Sequence, residues 1–348
     1  MCLSHAWRRW SGYIVASSYE LSHEREYHAI RSSAALLDIS PLYKYRVQGP
    51  DAARLLDRVV TRNVARSRQG QVLYTGWCDA AGKMLDDGTI ARLDEDFFRM
   101  TSAEPGLRWL EDNAVGLDVA LEDISDSIAA LALQGPSSRA ILQEVADTDL
   151  AQLKYFRIVA TTLRGIRVTI SRTGYTGERG YELLVPRDAA GAVWDALLSA
   201  GEEHGIVPCG LGARDTLRTE MGYPLHGQDI SLDVTPVQAR LGWAVGWKKD
   251  AFWGRDVLLA EKEAGPKRLL RGLVATGRGI PRPGMRVMLT ADVMVGEVTS
   301  GTFSPTLRKG IEGEDQEGKP EQDHPRHARP EVRNGLKIRG HSDGEKSS

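Results

Sequence analysis

A run of strand, then Gly-Pro, then helix occurs twice in this 348-residue chain, and no other feature restricts its architecture as much. Residues 43–47, Tyr-Lys-Tyr-Arg-Val, alternate in the manner of a half-buried strand. Gly49-Pro50-Asp51 then opens a helix on which Ala52, Leu55, Leu56 and Val59 recur at helical spacing. Residues 131–142 repeat the pattern through Gln134-Gly135-Pro136, with Ile141 and Leu142 on the helix that follows. Two units that open alike predict two related α+β halves.

Residues 71–74 and 89–93 read as strands joined by the turn Asp79-Ala80-Ala81-Gly82, and residues 97–101 as another. Asp86 and Asp87 stand at the start of the second of these, and neighbours in a strand face opposite sides, so at most one looks into a given pocket. Residues 168–170 and 182–185 predict an antiparallel pair around a Thr- and Gly-rich loop, and residues 189–200 an amphipathic helix. Residues 241–247, Leu-Gly-Trp-Ala-Val-Gly-Trp, are apolar enough for a buried strand, and a short helix begins at Gly254. Further strands are expected at 269–274, 285–289 and 296–301.

Between Gly210 and Gly222-Tyr223-Pro224 the chain places Arg214, Asp215, Arg218 and Glu220 inside two helical turns. Arg214 and Arg218 stand four apart and share a face. Such a helix either aims its guanidinium groups at an anion or carboxylates, or is a solvated, salt-bridged surface helix.

Net charge is -2, which gives no general attraction to nucleic acid or an anionic membrane, and no apolar run approaches the roughly 20 residues that span a bilayer. The N-terminal residues lack the apolar core of a signal peptide, so cytoplasmic residence is expected. Cys2, Cys78 and Cys209 are widely separated and make no metal-ligand spacing, which predicts reduced thiols and no bound metal. In residues 312–348, 16 of 37 side chains are charged and none is aromatic; such a segment buries too little to offset its ordering entropy and is expected to be a disordered tail.

Six ordered blocks resemble the glycine cleavage T protein (aminomethyltransferase) family. They are Tyr27-His28-Ala29-Ile30-Arg31 with Leu37-Asp38-Ile39-Ser40, then Leu85-Asp86-Asp87, then Leu133-Gln134-Gly135-Pro136. Thr173-Gly174-Tyr175-Thr176-Gly177-Glu178 with Gly180-Tyr181-Glu182, the stretch from Pro208 to Pro236, and Thr299-Ser300-Gly301-Thr302-Phe303-Ser304-Pro305-Thr306 complete the series. The resemblance implies a folate-binding fold over residues 1–260, formed by the two α+β halves, and a small C-terminal β-barrel over 261–311. That barrel is expected to be incomplete, through a truncation or a shifted reading frame, because the family's closing strands do not follow Pro305-Thr306.

The resemblance further implies a tetrahydrofolate-dependent transferase that takes its one-carbon unit from the aminomethyl-lipoyl arm of a partner H protein and releases ammonia. By matching the family's motifs, Asp87 would be the catalytic carboxylate beside the pterin, with Asp86 structural. Glu182 and Arg214 match positions associated with ligand binding; a carboxylate can hold the two adjacent N–H donors of an aminopyrimidine edge. Tyr74, Tyr175 and Trp243 are candidate walls for a flat ring. One departure is Met100-Thr101-Ser102-Ala103, where the family strand usually carries an asparagine. The residues also leave open a folate-dependent demethylase of a methylated amine or sulfonium compound, or an inactive truncated relative. An iron–sulfur assembly role is disfavoured, since Gly212 to Arg218 lacks that group's cysteine loop.

Overall fold

The computed structural model describes residues 3–317. The chain starts with a hairpin, β1 (Trp7–Trp10) and β2 (Tyr13–Ala16), followed by α1 (His23–Ser32) and β3 (Ala35–Asp38). The first Gly-Pro unit is β4 (Tyr43–Gln48) and α2 (Ala52–Val59), continued by β5 (Val72–Cys78), β6 (Met84–Arg92), β7 (Phe97–Ser102), α3 (Leu107–Ala114) and β8 (Ala120–Asp123). The second is β9 (Ile128–Gln134) and α4 (Ser138–Val145), continued by β10 (Ile158–Leu163), β11 (Ile166–Ser171), β12 (Gly180–Pro186), α5 (Ala190–Ala200) and β13 (Val207–Cys209). After α6 (Leu211–Glu220) and α7 (Arg255–Ala264) come β14 (Arg268–Val274), β15 (Arg286–Thr290), β16 (Val293–Ser304) and β17 (Lys309–Glu317).

The two halves share element order and sheet order. One sheet runs β5-β6-β7-β4-β8 and the other β10-β11-β12-β9-β3-β13, so the second equals the first with β3 inserted. Both Gly-Pro turns have the same physical cause. Gly49 and Gly135 sit at φ of 140° and 128°, and a Cβ on either would fall 2.6 Å from Asp118 O or 2.4 Å from Ser33 O, so no other residue fits either turn.

Helices cover one face of each sheet. Leu55, Leu56, Val59 and Leu110 pack on Tyr45, Leu73, Ile90 and Phe98 in the first half, and Ile141, Leu142, Val193 and Leu197 on Leu131, Leu133, Ile170 and Leu183 in the second. The sheets meet at their β5 and β10 edges, where Val72 N–H donates to Phe156 O and Ile158 N–H to Gly70 O, each at 3.0 Å. Their remaining faces look at one another, with α1 and α6 packed against part of the second.

Among the described residues the C-terminal strands form an open four-stranded sheet, β14-β17-β16-β15, and not a closed barrel. Two buried polar clusters fasten it to α6. Arg218, 2 % exposed, donates to Asp229 Oδ2 at 2.5 Å, Asp215 Oδ1 at 2.8 Å and Ser300 Oγ at 2.8 Å. Glu220 accepts from Arg31, from the Tyr27 hydroxyl at 2.8 Å and from Ser304, while Arg31 Nη1 reaches Glu178 Oε1 at 2.8 Å. Four of the six sequence blocks converge on these two knots.

Two expectations need correction. Residues 241–247 are a 3-10 turn, Gly242–Ala244, with flanking bends; Trp243 is 61 % exposed and Gly246 N–H donates to Thr61 O at 2.8 Å, so the segment pins the end of α2 and β5 in place of joining a sheet. Strand β17 runs through Glu317, past residue 312 where the tail was expected to begin, because its backbone pairs with both β14 and β16. The remainder of that tail lies outside the described residues. The hairpin β1–β2 and the parallel pairing of β13 with β3 were not predicted.

Candidate functional site

Strand register decides which side chains meet. In the first sheet Tyr74 lies opposite Thr89, Thr89 opposite Thr101, and Thr101 opposite Lys44, so all four share a face. Asp87 is two residues along from Thr89 and joins that face, whereas Asp86 takes the other. In the second sheet Ser171 lies opposite Glu182 and Glu182 opposite Ala132, on the face turned toward the first half. Asp87, Glu182, Arg214, Tyr74 and Tyr175 consequently line one cavity of about 210 Å³ between the sheets.

Gly88 lets the two innermost strands close behind Asp87. A Cβ there would fall 1.9 Å from the Thr101 carbonyl oxygen. Gly88→Ala is therefore expected to destabilise the fold by about 3 kcal/mol through backbone displacement, as read by thermal unfolding.

Asp86 is committed to backbone: its oxygens accept N–H from Asp87 at 2.7 Å, Glu104 at 2.9 Å and Ala103 at 3.1 Å. Asp87 faces the cavity, where Oδ2 accepts the Tyr74 hydroxyl at 2.8 Å. Burial, reinforced by the Asp86 charge, pushes the Asp87 carboxyl up to about 7, with the Tyr74 hydrogen bond opposing. Burial also raises Glu182, opposed by the Thr173 hydroxyl that donates to it and by the charge of Arg214. The Arg214 guanidinium lies between the rings of Trp10 and Tyr175, at 5.3 and 4.4 Å, and has no hydrogen-bond acceptor among the described residues. Arg218, one turn on, is fully engaged in its carboxylate cluster, so the shared face divides one arginine for the cavity and one for the fold.

Trp243 stands apart from the other five. It stacks on Tyr74 at 5.5 Å and lines a second, outer cavity of about 750 Å³, which shares Tyr74, Tyr175, Gly174, Phe156 and Pro224 with the inner one. The two cavities are thus neighbours with a common wall that includes Tyr74 and Tyr175.

Residues that the sequence did not single out complete the lining. Lys44 is fully buried, donates to Ser40 O at 2.9 Å and Leu42 O at 2.7 Å, and is lowered to about 8 by burial. Arg99 bridges the halves through Thr169 Oγ1 at 2.7 Å and is lowered to about 10 by burial. The period-two alternation through Tyr43 and Phe97 was their signal, but it reads equally as a face turned to water. Trp10 comes from the unpredicted hairpin. Among the described residues no His/Cys/Asp/Glu cluster could hold a metal ion, no helix is long and apolar enough to cross a membrane, and Cys78 and Cys209 are buried free thiols.

Residues 3–249 match the family model described as the GCVT N-terminal domain, and residues 268–312 that of the glycine cleavage T-protein C-terminal barrel domain. The chain belongs to the glycine cleavage T-protein family. An aminomethyltransferase of Mycobacterium avium is 45% identical over 312 residues, 89% of this chain and 84% of that protein. One from Frankia alni is 47% identical over 291 residues, 82% of this chain and 79% of that protein. The crystal structure of glycine cleavage system aminomethyltransferase T from Bartonella henselae matches with a TM-score of 0.83 at 30% identity, over 89% of this chain and 86% of that one. Within this T-protein fold the inner cavity lies between the two related halves, and the C-terminal sheet borders the outer one.

Proposed function

We propose that this T-protein family member is a cytoplasmic aminomethyltransferase that takes a one-carbon unit from the aminomethyl-lipoyl arm of an H protein, transfers it to tetrahydrofolate and releases ammonia. The observation that carries the reading is the meeting of Asp87, Glu182 and Arg214 in one cavity of a chain 45% identical to an aminomethyltransferase.

The residues fit a reduced pterin. Glu182 offers a buried carboxylate to two adjacent N–H donors, Arg214 offers a guanidinium with no protein acceptor among the described residues, and Tyr74 and Tyr175 offer flat walls. When bound, tetrahydrofolate supplies the nucleophilic amine for the one-carbon unit. The protein does the remainder. Glu182 would orient the ring edge, with Thr173 fixing its rotamer. Asp87, held by Tyr74, would stabilise positive charge at the reacting amine and accept its proton at a carboxylate oxygen. Tyr74 and Tyr175, which line both cavities, would set the approach of the donor.

Ammonia release from aminomethylated H protein tests the reading. Release that requires both H protein and tetrahydrofolate is expected; turnover of small methylated amines with no need of H protein would contradict it. Glu182→Gln replaces one acceptor by a donor against the same N–H pair. It is expected to weaken reduced-folate binding by about 1 to 3 kcal/mol, and equal affinities by calorimetry would remove the contact.

A further inference from the structure

We propose that His226 is a positioning residue for the carboxylate pair: its Nδ1 holds a proton facing Asp86, and this charge keeps the neighbouring Asp87 available as an anion. The proposal rests on the role given to Asp87 above.

His226 belongs to the loop after α6 and no sequence block assigns it a role. Its Nε2 lies 3.0 Å from the carbonyl oxygen of Leu85. A carbonyl only accepts, so Nε2 carries a hydrogen. Nδ1 is buried and has no hydrogen-bond partner among the described residues, and it stands 4.0 Å from Asp86 Oδ1. Asp86 is in turn engaged through both oxygens by the backbone N–H groups of Asp87, Ala103 and Glu104, which oppose the burial that pushes its carboxyl up to about 7. Once Asp86 is ionised, a neutral ring would aim a buried lone pair at a carboxylate oxygen, two acceptors facing with no proton between them. A proton on Nδ1 turns the same contact into an ion pair.

The charged and titratable groups gathered here are Asp86 and Asp87 on β6, Tyr74 on β5, Glu104 after β7 and Arg214 on α6. Burial raises both carboxyl groups of the pair, and a cation beside Asp86 favours their charged forms. Charge on His226 also lowers Asp87, against the burial that raises it. The loop is held for this task. Asp229, fixed by Arg218, accepts the backbone N–H of Leu225 at 2.9 Å, so the residue before His226 is tied to the buried arginine cluster. The adjoining Leu85 carbonyl supplies the tautomer, in the way a backbone oxygen commonly orients an imidazole.

His226→Gln retains a donor for Leu85 O and cannot take a charge. The acid limb of turnover is expected to move up by about one pH unit, giving roughly a tenfold deficit at pH 6.5 that narrows toward pH 9, with an unchanged unfolding temperature. An unmoved acid limb with a lowered unfolding temperature would overturn the proposal and leave His226 as packing. Nitrogen chemical shifts of the imidazole give a reading independent of activity. In the wild-type protein at pH 7 both His226 nitrogens are expected to be protonated, and in Asp86→Asn only Nε2; a wild-type ring neutral at Nδ1 from pH 6 to 8 would overturn the proposal outright. If instead the ring is charged but Asp87→Asn turns over normally, it is the role of Asp87 that fails.

Discussion

Asp87→Asn is expected to slow turnover by about 10²- to 10⁴-fold while leaving the affinity for reduced folate nearly unchanged, because the amide keeps the shape and loses both the charge and the proton acceptor. The wild-type rate should fall as pH drops through about 7, where the buried carboxyl takes up its proton, and the residual rate of the variant should lack that limb. Stability carries the opposite sign. The folded pKa lies above the unfolded value of about 3.9, so the folded state binds the proton more tightly and the associated stability, full below pH 4, is lost as pH rises through 7. Asp87→Asn should therefore melt higher than wild type at pH 8 and with it at pH 4. An unchanged rate across this range would remove the catalytic role.

Arg218→Met is the second large effect, and it acts on the fold. Arg218 is 2 % exposed and its guanidinium answers Asp229, itself 4 % exposed, together with Asp215, Gln228 and Ser300. Removing one partner leaves an uncompensated buried carboxylate, which costs about 3 to 5 kcal/mol. For a chain of this size that lowers the unfolding midpoint by on the order of 10 °C. Limited proteolysis should release the C-terminal sheet first, since β16 loses its link to α6. Adding Asp229→Asn to Arg218→Met should recover part of the loss by deleting the stranded charge. A melt within 1–2 °C of wild type would show the cluster to be dispensable.

Much of this architecture was legible because local chemistry and tertiary structure agree. The Gly-Pro turns, the alternation on β4 and the helical spacing of Leu55 and Leu56 each name their element directly. The opposition of Asp86 and Asp87 followed from strand geometry alone, and the structure gives one to backbone N–H groups and the other to the cavity. What stayed hidden depended on long-range pairing. Lys44 and Arg99 read as the wet side of half-buried strands, yet that side faces the second sheet. Residues 241–247 are apolar because they plug the end of the first half, and apolar content cannot separate a plug from a strand. The short strands Ala35–Asp38 and Val207–Cys209 become strands only on meeting one another and β9.

The central claim is that the inner cavity holds a reduced pterin between Glu182 and Asp87. A crystal structure with tetrahydrofolate bound tests it most directly. The aminopyrimidine edge should lie on the Glu182 carboxylate, with the reacting amine within hydrogen-bond reach of Asp87 and the rest of the molecule passing Tyr74 and Tyr175 into the outer cavity. A pterin seated elsewhere, with the inner cavity holding only water, would contradict it.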